Sequence, residues 1–560
     1  MKRADGFAEW QNRLLSNVTC CLAVVVVVLY IVVGGRILLL LSGIVGLIVA
    51  LGRVAVLSRV VGSIAAALVF AVAGRILGFV CALLIILIQV FHPLRDILFS
   101  VPFEIYKQSL GADLFMNEYP SAFLSRMHTL LGGEYADFLE CMNRPFVRGI
   151  RLNPMKCDEK TLKNALDFPI EISPFSPYSY YIPEGADKPG RIPLHHAGAF
   201  YSQEPSAASA VTILGPQPGE KILDLCAAPG GKSTQIAALM AGRGLLWSNE
   251  VVRSRATALL SNLERMGVPN AVISSCHPEL LCETLSGFFD RVLVDAPCSG
   301  EGMFRRDAQA VQDWSEEHVK TCAVRQGLIL DSAAHALREN GILVYSTCTF
   351  SPEENEDTVR AFLHRHPDFV LEDSGVSFGR PGIGMPQARR VLPMDGGDGH
   401  FVAKMKKTSP AACRAAEYPF AKLSAEADAK ALYGQIFSTP LPRPLIQSGG
   451  AILIAPEFLP ALSGLGVIRA GVMLGEIQKG RIEPAHALFL SSLPRQLRQT
   501  VEFSSRSLRL RAYLHGEELE VDPALKGYAG VAADGVITGF GKCSSGKMKN
   551  RYPKGLRSHT

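Results

Sequence analysis

The chain has 560 residues, 57 Lys and Arg against 52 Asp and Glu, 48% hydrophobic residues and a mean hydropathy of +0.19. That length implies three or four folding units by the usual prior of about 150 residues per domain, and the near balance of charge excludes a chain that is strongly basic or acidic throughout. Thirteen cysteines, an odd number with no C-x-x-C pair, exclude a disulfide framework and a cysteine-rich zinc site, and fit a reducing compartment.

The hydrophobic excess lies at the front. Residues 1–110 carry nine Lys/Arg and four Asp/Glu, which accounts for the net charge of +5, and no acidic residue stands between Glu9 and Asp96. Four apolar runs, 17–35, 37–52, 54–74 and 76–91, follow one another with Arg36, Arg53 and Arg75 between them. The two shorter runs make only about 24 Å of helix, against a hydrocarbon core of about 30 Å. Read literally, this is two to four transmembrane helices that give a membrane contact through 17–91, with Lys2, Arg3 and Arg13 holding the N-terminus in the cytoplasm. A cleavable signal peptide does not fit, because the hydrophobicity continues far past any cleavage point. The competing reading places the working start at Met116, where "MNEYPSAFLSRMHTLLGGEYADFL" offers a polar cap and an amphipathic helix, and sets 1–115 apart.

From about residue 210, short apolar runs alternate with helix-period segments. Strands are expected at "KILDLCA", "GLLWSNE", "AVISS", "RVLVDAP" and "GILVYSTCT", with helices at 252–267 and 315–340. This alternation implies an α/β, Rossmann-like parallel sheet with helices on both faces, completed by "HFVAKMKK" at 400–407. Ligands on such sheets bind beyond the carboxyl ends of the strands.

The first strand ends in "DLCAAPGGKST". A phosphate-binding loop, G-x-x-x-x-G-K-[ST], needs glycine where Cys226 stands, which argues against an NTPase using Gly231-Lys232-Ser233. Gly230 and Gly231 instead let the backbone approach a cofactor, with a tight structural turn as the alternative. Glu250, ending the second strand, is placed to accept hydrogen bonds from both ribose hydroxyls of an adenosine. No phosphate is required, so S-adenosylmethionine fits better than a dinucleotide. The fourth strand ends in Asp295-Ala-Pro-Cys298-Ser-Gly-Glu-Gly302, the fifth in Tyr345-Ser-Thr-Cys348-Thr349. Neighbouring strands lie about 4.8 Å apart, so Cys298 and Cys348 are expected to face one crevice. A thiolate there suits attack on an electron-poor ring. Cys141, Cys157, Cys282, Cys322 and Cys413 are expected to be small buried hydrophobes.

Taken in order, "DLCAAPGGKS", "DAPCSGEG" and "STCTFSPEENE" resemble the motifs of the Nol/Nop/Sun-type RNA cytosine-5 methyltransferases, particularly the RsmF-like ribosomal RNA branch. "YSQEPSA" at 201–207 and "GDGHFVAKM" at 397–405 extend the likeness from about Met116 to the C-terminus. The resemblance implies a methyltransferase domain over 196–407, preceded by an RNA-binding subdomain over 116–195. A small domain follows over 408–500, then a PUA-like RNA-binding module over 501–560. It implies that Cys226, Ala227, Ala228, Pro229, Gly230, Gly231, Lys232, Glu250 and Asp295 hold S-adenosyl-L-methionine. It also implies that Cys348 attacks carbon 6 of cytosine, that Cys298 assists release, and that Asp295 hydrogen-bonds the base. The DNA-modifying relatives use the Pro-Cys cysteine as nucleophile, so exchanged roles stand as an alternative. Phosphate contacts are expected from Lys547, Lys549, Arg551 and Lys554 in the basic tail. No metal is expected, and a monomeric, cytoplasmic catalytic body is. Of Phe175, Tyr178, Tyr180, Tyr181, Phe200 and Tyr201, most are expected to pack in a core rather than stack on bases. Two departures from the family pattern stand out. Ser275-Cys276-His277 follows the third strand, where an acidic or amide group is usual, so no side chain is assigned to the adenine. Met394 replaces an expected histidine. Transfer RNA as substrate, or a membrane-tethered RNA-binding protein without catalysis, remain the alternatives.

Overall fold

The computed structural model describes residues 119–186 and 188–557, which lie in one compact unit, Met116–Thr560. The expected membrane helices and the proposed start at Met116 lie outside the described residues. Among the described residues, no helix is long and apolar enough to cross a membrane.

The centre is a ten-stranded mixed sheet. Its strands are β1 (Lys221–Asp224), β2 (Leu245–Asn249), β3 (Ala271–Ser274), β4 (Phe289–Asp295), β5 (Leu337–Thr347), β6 (Phe369–Glu372), β7 (Arg380–Gly382), β8 (Met385–Val391), β9 (His400–Lys407) and β10 (Val467–Ala470). They run in the order β7-β8-β9-β5-β4-β1-β2-β3-β10, with β6 paired to β9. The five strands from β3 to β5 are parallel, as the strand–helix alternation requires. β9 closes one side antiparallel to β5, with Phe401 opposite Thr347. The parallel strands are buried almost throughout: every residue of β2 is buried, and Trp247 donates its indole N–H to Ser274 Oγ at 2.8 Å. Buried on both faces, they read as continuous apolar runs instead of alternating ones.

The helices between the strands bury one stripe each. In α1 (Arg253–Arg265), Ala256, Leu259 and Leu263 are buried, the i, i+3, i+7 spacing of one helix face. α2 (Glu316–Ala336) ends four residues short of the expected 340, because Leu337 already pairs with Phe289 and starts β5. Ser315 caps its first turn by accepting from the His318 amide.

Residues 408–500 do not stand wholly apart from this sheet. β10 comes from within them and adds antiparallel to β3, pairing Arg469 with Ile273. Gly466 makes the junction at φ +57°, where a Cβ would sit 2.3 Å from the Ser275 carbonyl oxygen. Further along, a four-stranded antiparallel sheet forms from Leu445–Ser448, Ala451–Ile454, Val472–Gln478 and Arg481–Pro484. The C-terminal residues build a five-stranded sheet from Thr500–Phe503, Leu519–Glu520, Gly527–Ala533, Val536–Ser544 and Lys547–Asn550.

Ahead of the central sheet, Gly149–Leu152, Glu171–Ile172, Ser179–Tyr181 and Phe200–Ser202 form a small antiparallel sheet. Phe175, Tyr180, Phe200 and Tyr201 are buried, which bears out core packing for most of the aromatics expected there. Arg151 fastens this sheet to the helix that follows β1 (Gly231–Leu239). Its buried guanidinium donates to Thr234 Oγ1 at 2.6 Å and to Gln203, and burial brings its pKa down to about 9.

Candidate active site

The turn after β1 carries Leu225 to Gly230 and opens directly into a helix, Gly231–Leu239. Gly230 adopts φ +111°, a conformation open mainly to glycine, and a Cβ on it would lie 3.2 Å from Leu259 of α1. A Cβ on Gly231 would lie 3.2 Å from the Gln203 amide. Both glycines thus stand at close contacts within the protein, on the same turn as the cavity-lining Cys226 and Ala228. They let the turn close onto α1 and onto Gln203.

The cavity itself lies beyond the strand ends and measures about 980 Å³, at the upper end of the range of roughly 300–1,000 Å³ usual for ligand sites. Of the nine expected cofactor residues, Cys226, Ala228, Glu250 and Asp295 line it, together with Pro278, Pro297, Cys298 and Cys348. Ala227, Pro229, Gly230, Gly231 and Lys232 shape the turn and the helix start. His277 also lines the cavity, beside the position where no adenine contact was assigned.

Glu250 is nearly buried. One carboxylate oxygen accepts from the Val252 amide at 3.0 Å and the other pairs with Arg255 at 3.2 Å, which fixes the group at the mouth of the cavity. On the far side of β1, Asp295 accepts from Lys232 Nζ at 2.6 Å through Oδ2 and from Ser346 Oγ at 2.8 Å through Oδ1. Burial works to lower the Lys232 pKa, but the Asp295 carboxylate outweighs it and the net shift is upward. The lysine therefore stays charged and holds Asp295 in place. Asp224, at the end of β1, is fully buried; Oδ2 accepts from Ser233 Oγ at 2.7 Å, and Oδ1 has no partner among the described residues. Burial raises its pKa to about 7.

Cys298 and Cys348 meet as expected. Their sulfur atoms are 3.3 Å apart, and the Cys348 amide donates to Cys298 Sγ at 3.4 Å. The hydrogen bond to Cys348, together with burial, raises the Cys298 pKa well above that of a free thiol. Two carboxylates that sequence reasoning left without a role hold the pair. Glu354, following Cys348, accepts from the Ser299 amide at 2.9 Å, from the Ser299 hydroxyl and from Gln326 Nε2 at 2.8 Å. Glu301, following Cys298, accepts from Thr349 Oγ1 at 2.7 Å, the Phe350 amide at 2.8 Å, Ser351 Oγ at 2.7 Å and Trp314 Nε1 at 2.9 Å. Each cysteine loop is thus tied by the carboxylate of the other. Both glutamates stand inside motifs visible in the sequence, but the donors they meet on the opposite cysteine loop lie about 50 residues away in the chain.

Among the other cysteines, Cys157, Cys282 and Cys322 are buried as expected. Cys141 is only partly buried and Cys413 is exposed, since it lies in an irregular segment that packs little side-chain surface. No metal-binding cluster of His, Cys, Asp or Glu occurs among the described residues.

A parallel sheet with a cavity beyond its strand ends and a carboxylate on either side of the first strand suits an S-adenosylmethionine-dependent methyltransferase. The donor set fits that cofactor: Glu250 can take ribose hydroxyls, and the anionic Asp295 suits a sulfonium. Comparison with known proteins narrows the class. Residues 211–406 match the family described as 16S rRNA methyltransferase RsmB/F, and 119–205 match the N-terminal domain of 16S rRNA methyltransferase RsmF. Residues 432–491 match the RsmF rRNA methyltransferase first C-terminal domain, and 500–558 the methyltransferase RsmF PUA domain. Ribosomal RNA small subunit methyltransferase F of Vibrio vulnificus (strain YJ016) is 31% identical over 78% of this chain and 97% of its own length. The enzyme of that name from Klebsiella pneumoniae (strain 342) is 32% identical over 78% and 96%. Among solved structures, a methyltransferase homolog from Pyrococcus horikoshii aligns with 52% of this chain and 96% of its own, at 29% identity and a TM-score of 0.47. The chain belongs to the ribosomal RNA small subunit methyltransferase F family.

Proposed function

We propose that this enzyme methylates carbon 5 of a cytosine in small-subunit ribosomal RNA through a covalent adduct on Cys348. The observation that carries the reading is the pair of thiols, 3.3 Å apart on adjacent strand ends, inside the cavity that Glu250 and Asp295 also line. When bound, S-adenosylmethionine supplies the methyl group as an electrophile.

Carbon 5 of cytosine is a poor nucleophile until carbon 6 is saturated. The Cys348 thiolate adds its electron pair to carbon 6, and the ring's 5,6 double-bond electrons become available at carbon 5 as an enamine. After methylation, carbon 5 loses its proton to a base. The released pair re-forms the double bond, and the carbon–sulfur bond breaks to return the thiolate. Cys298 suits the release step, because its raised pKa keeps it a thiol, and it hydrogen-bonds the departing sulfur. Asp295, steadied by Lys232 and Ser346, is placed to hold the base. The target must leave its stack to expose carbon 6, so it enters as an unpaired or flipped nucleotide.

RNA contacts outside the cavity fall to the C-terminal sheet and the segment after it. Lys549 and Lys554 are exposed and make no ion pair among the described residues. Lys547 and Arg551 are engaged with Glu518 at 3.4 Å and Glu483 at 3.3 Å. Lys549 and Lys554 are therefore the stronger phosphate contacts of the four.

The two thiols are separated by substitution. Cys348→Ala is expected to abolish both methyl transfer and any covalent RNA adduct. Cys298→Ala is expected to leave the attack intact and slow elimination, so that a slow-migrating protein–RNA band accumulates on denaturing gels. The reverse pattern assigns the attack to Cys298. Methylation that survives both substitutions without a band overturns the covalent route.

A further inference from the structure

A second cavity, about 270 Å³, lies where the N-terminal sheet region meets the C-terminal sheet, and it shares no lining residue with the methyltransferase cavity. Its charged lining is Arg191 and Asp167 from the N-terminal side and Arg506 and Arg511 from the C-terminal side, with His196 and His515 between. Among the described lining residues, three arginines thus stand with one carboxylate. Asp167 is taken up by Arg506 at 2.7 Å. Arg191 and Arg511 have no side-chain hydrogen bond or ion pair among the described residues, although they come from segments more than 300 residues apart.

An exposed guanidinium usually has its stem laid on apolar surface and its head in water, and one such group means little. Two line one cleft beside a third already neutralised, and no carboxylate among the described residues pairs with them. That is the arrangement of a site whose anion comes from outside. Guanidinium forks match phosphate oxygens in pairs, whereas a lysine acts as a point charge. Leu519–Glu520, which follows the helix bearing Arg511 (Leu508–His515), pairs with Lys547–Asn550. The C-terminal side of the cleft and the exposed Lys549 therefore belong to one domain.

We propose that this cleft is a second RNA site: Arg191 and Arg511 together hold one backbone phosphate of the substrate, away from the reacting cytosine. The proposal rests on the reading of the enzyme as an RNA methyltransferase and adds where the RNA is gripped. A phosphate clasped from both sides also links the N-terminal and C-terminal regions, so binding here fixes the approach of the strand to the cavity.

The test uses the full chain and a fluorescently labelled single-stranded RNA, titrated at several salt concentrations. Loss of one phosphate contact reduces the slope of log affinity against log salt by about 0.7 for single-stranded RNA. Arg191→Ala and Arg511→Ala are each expected to weaken binding several-fold and flatten that slope, and the double variant to flatten it no further, since both hold the same phosphate. Asp167→Asn is expected to strengthen binding, because it frees Arg506 and removes the one carboxylate among the cleft's described lining residues. Unchanged affinity and slope in both arginine variants, or weakened binding in Asp167→Asn, overturns the cleft. S-adenosylmethionine affinity, measured alongside, is expected to stay at the wild-type value; a drop there together with a lost melting transition marks misfolding, and Arg191→Lys and Arg511→Lys then decide. These keep the charge but not the fork, and full wild-type binding by both also overturns the paired-guanidinium site. Methylation by the wild type is read in the same preparation. If the wild type methylates RNA while the variants bind normally, the cleft alone fails; if the variants lose binding while the wild type methylates nothing, the catalytic reading fails.

Discussion

Asp224 is a carboxylate placed where ionisation is costly: fully buried, hydrogen-bonded by one hydroxyl, and with one oxygen unpartnered among the described residues. Its pKa is raised from 3.8 to about 7 chiefly by burial. The sign follows from proton counts. Between those values the folded chain holds a proton that the unfolded chain has lost, so this residue's contribution is fully present below pH 3.8 and is lost as pH rises to about 7. Asp224→Asn cannot ionise and is expected to escape that loss. Its thermal stability relative to wild type should rise with pH across the window, with a slope approaching about 1.4 kcal/mol per pH unit. Parallel stability curves for the two proteins would show that Asp224 ionises freely. Glu301 and Glu354 are buried too, but each accepts several hydrogen bonds, from the opposite cysteine loop and from Trp314 or Gln326.

At the scale of single elements, the turn between β1 and its helix is a constrained piece of backbone beside the cavity. Gly230 combines a positive φ with Leu259 packed where a Cβ would stand. Gly230→Ala must both adopt a left-handed conformation and push aside the end of the Leu259 side chain. The expected cost is about 1–3 kcal/mol, with S-adenosylmethionine affinity falling because Cys226 and Ala228 line the cavity from the same turn. Calorimetry and a melting curve read both effects, and an alanine variant with unaltered melting would refute the packing argument. The motif was legible because glycine at such a turn is hard to replace. What the glycine makes room for was not, since α1 reaches the turn only through the fold.

For the molecule as a whole, the compact unit Met116–Thr560 contains both cavities, the two cysteines and the basic C-terminal sheet. A chain beginning at Met116 is expected to fold, stay in solution and bind S-adenosylmethionine as the full chain does. Loss of folding that only residues 1–115 restore would make the apolar front integral to the protein.

The order of the motifs, the parallel core from β3 to β5 and the meeting of Cys298 with Cys348 were all determined by the sequence. Strand ends in an alternating α/β chain have fixed neighbours, and three motifs at such ends specify one crevice. Tertiary structure alone decided which buried carboxylate holds which loop, that β10 leaves its own segment to pair with β3, and that Arg191 and Arg511 share a cleft. These depend on contacts between residues dozens to hundreds of positions apart. Local periodicity carries information over one helix or strand, whereas a long-range pairing is selected by the combined burial and hydrogen bonding of the whole domain.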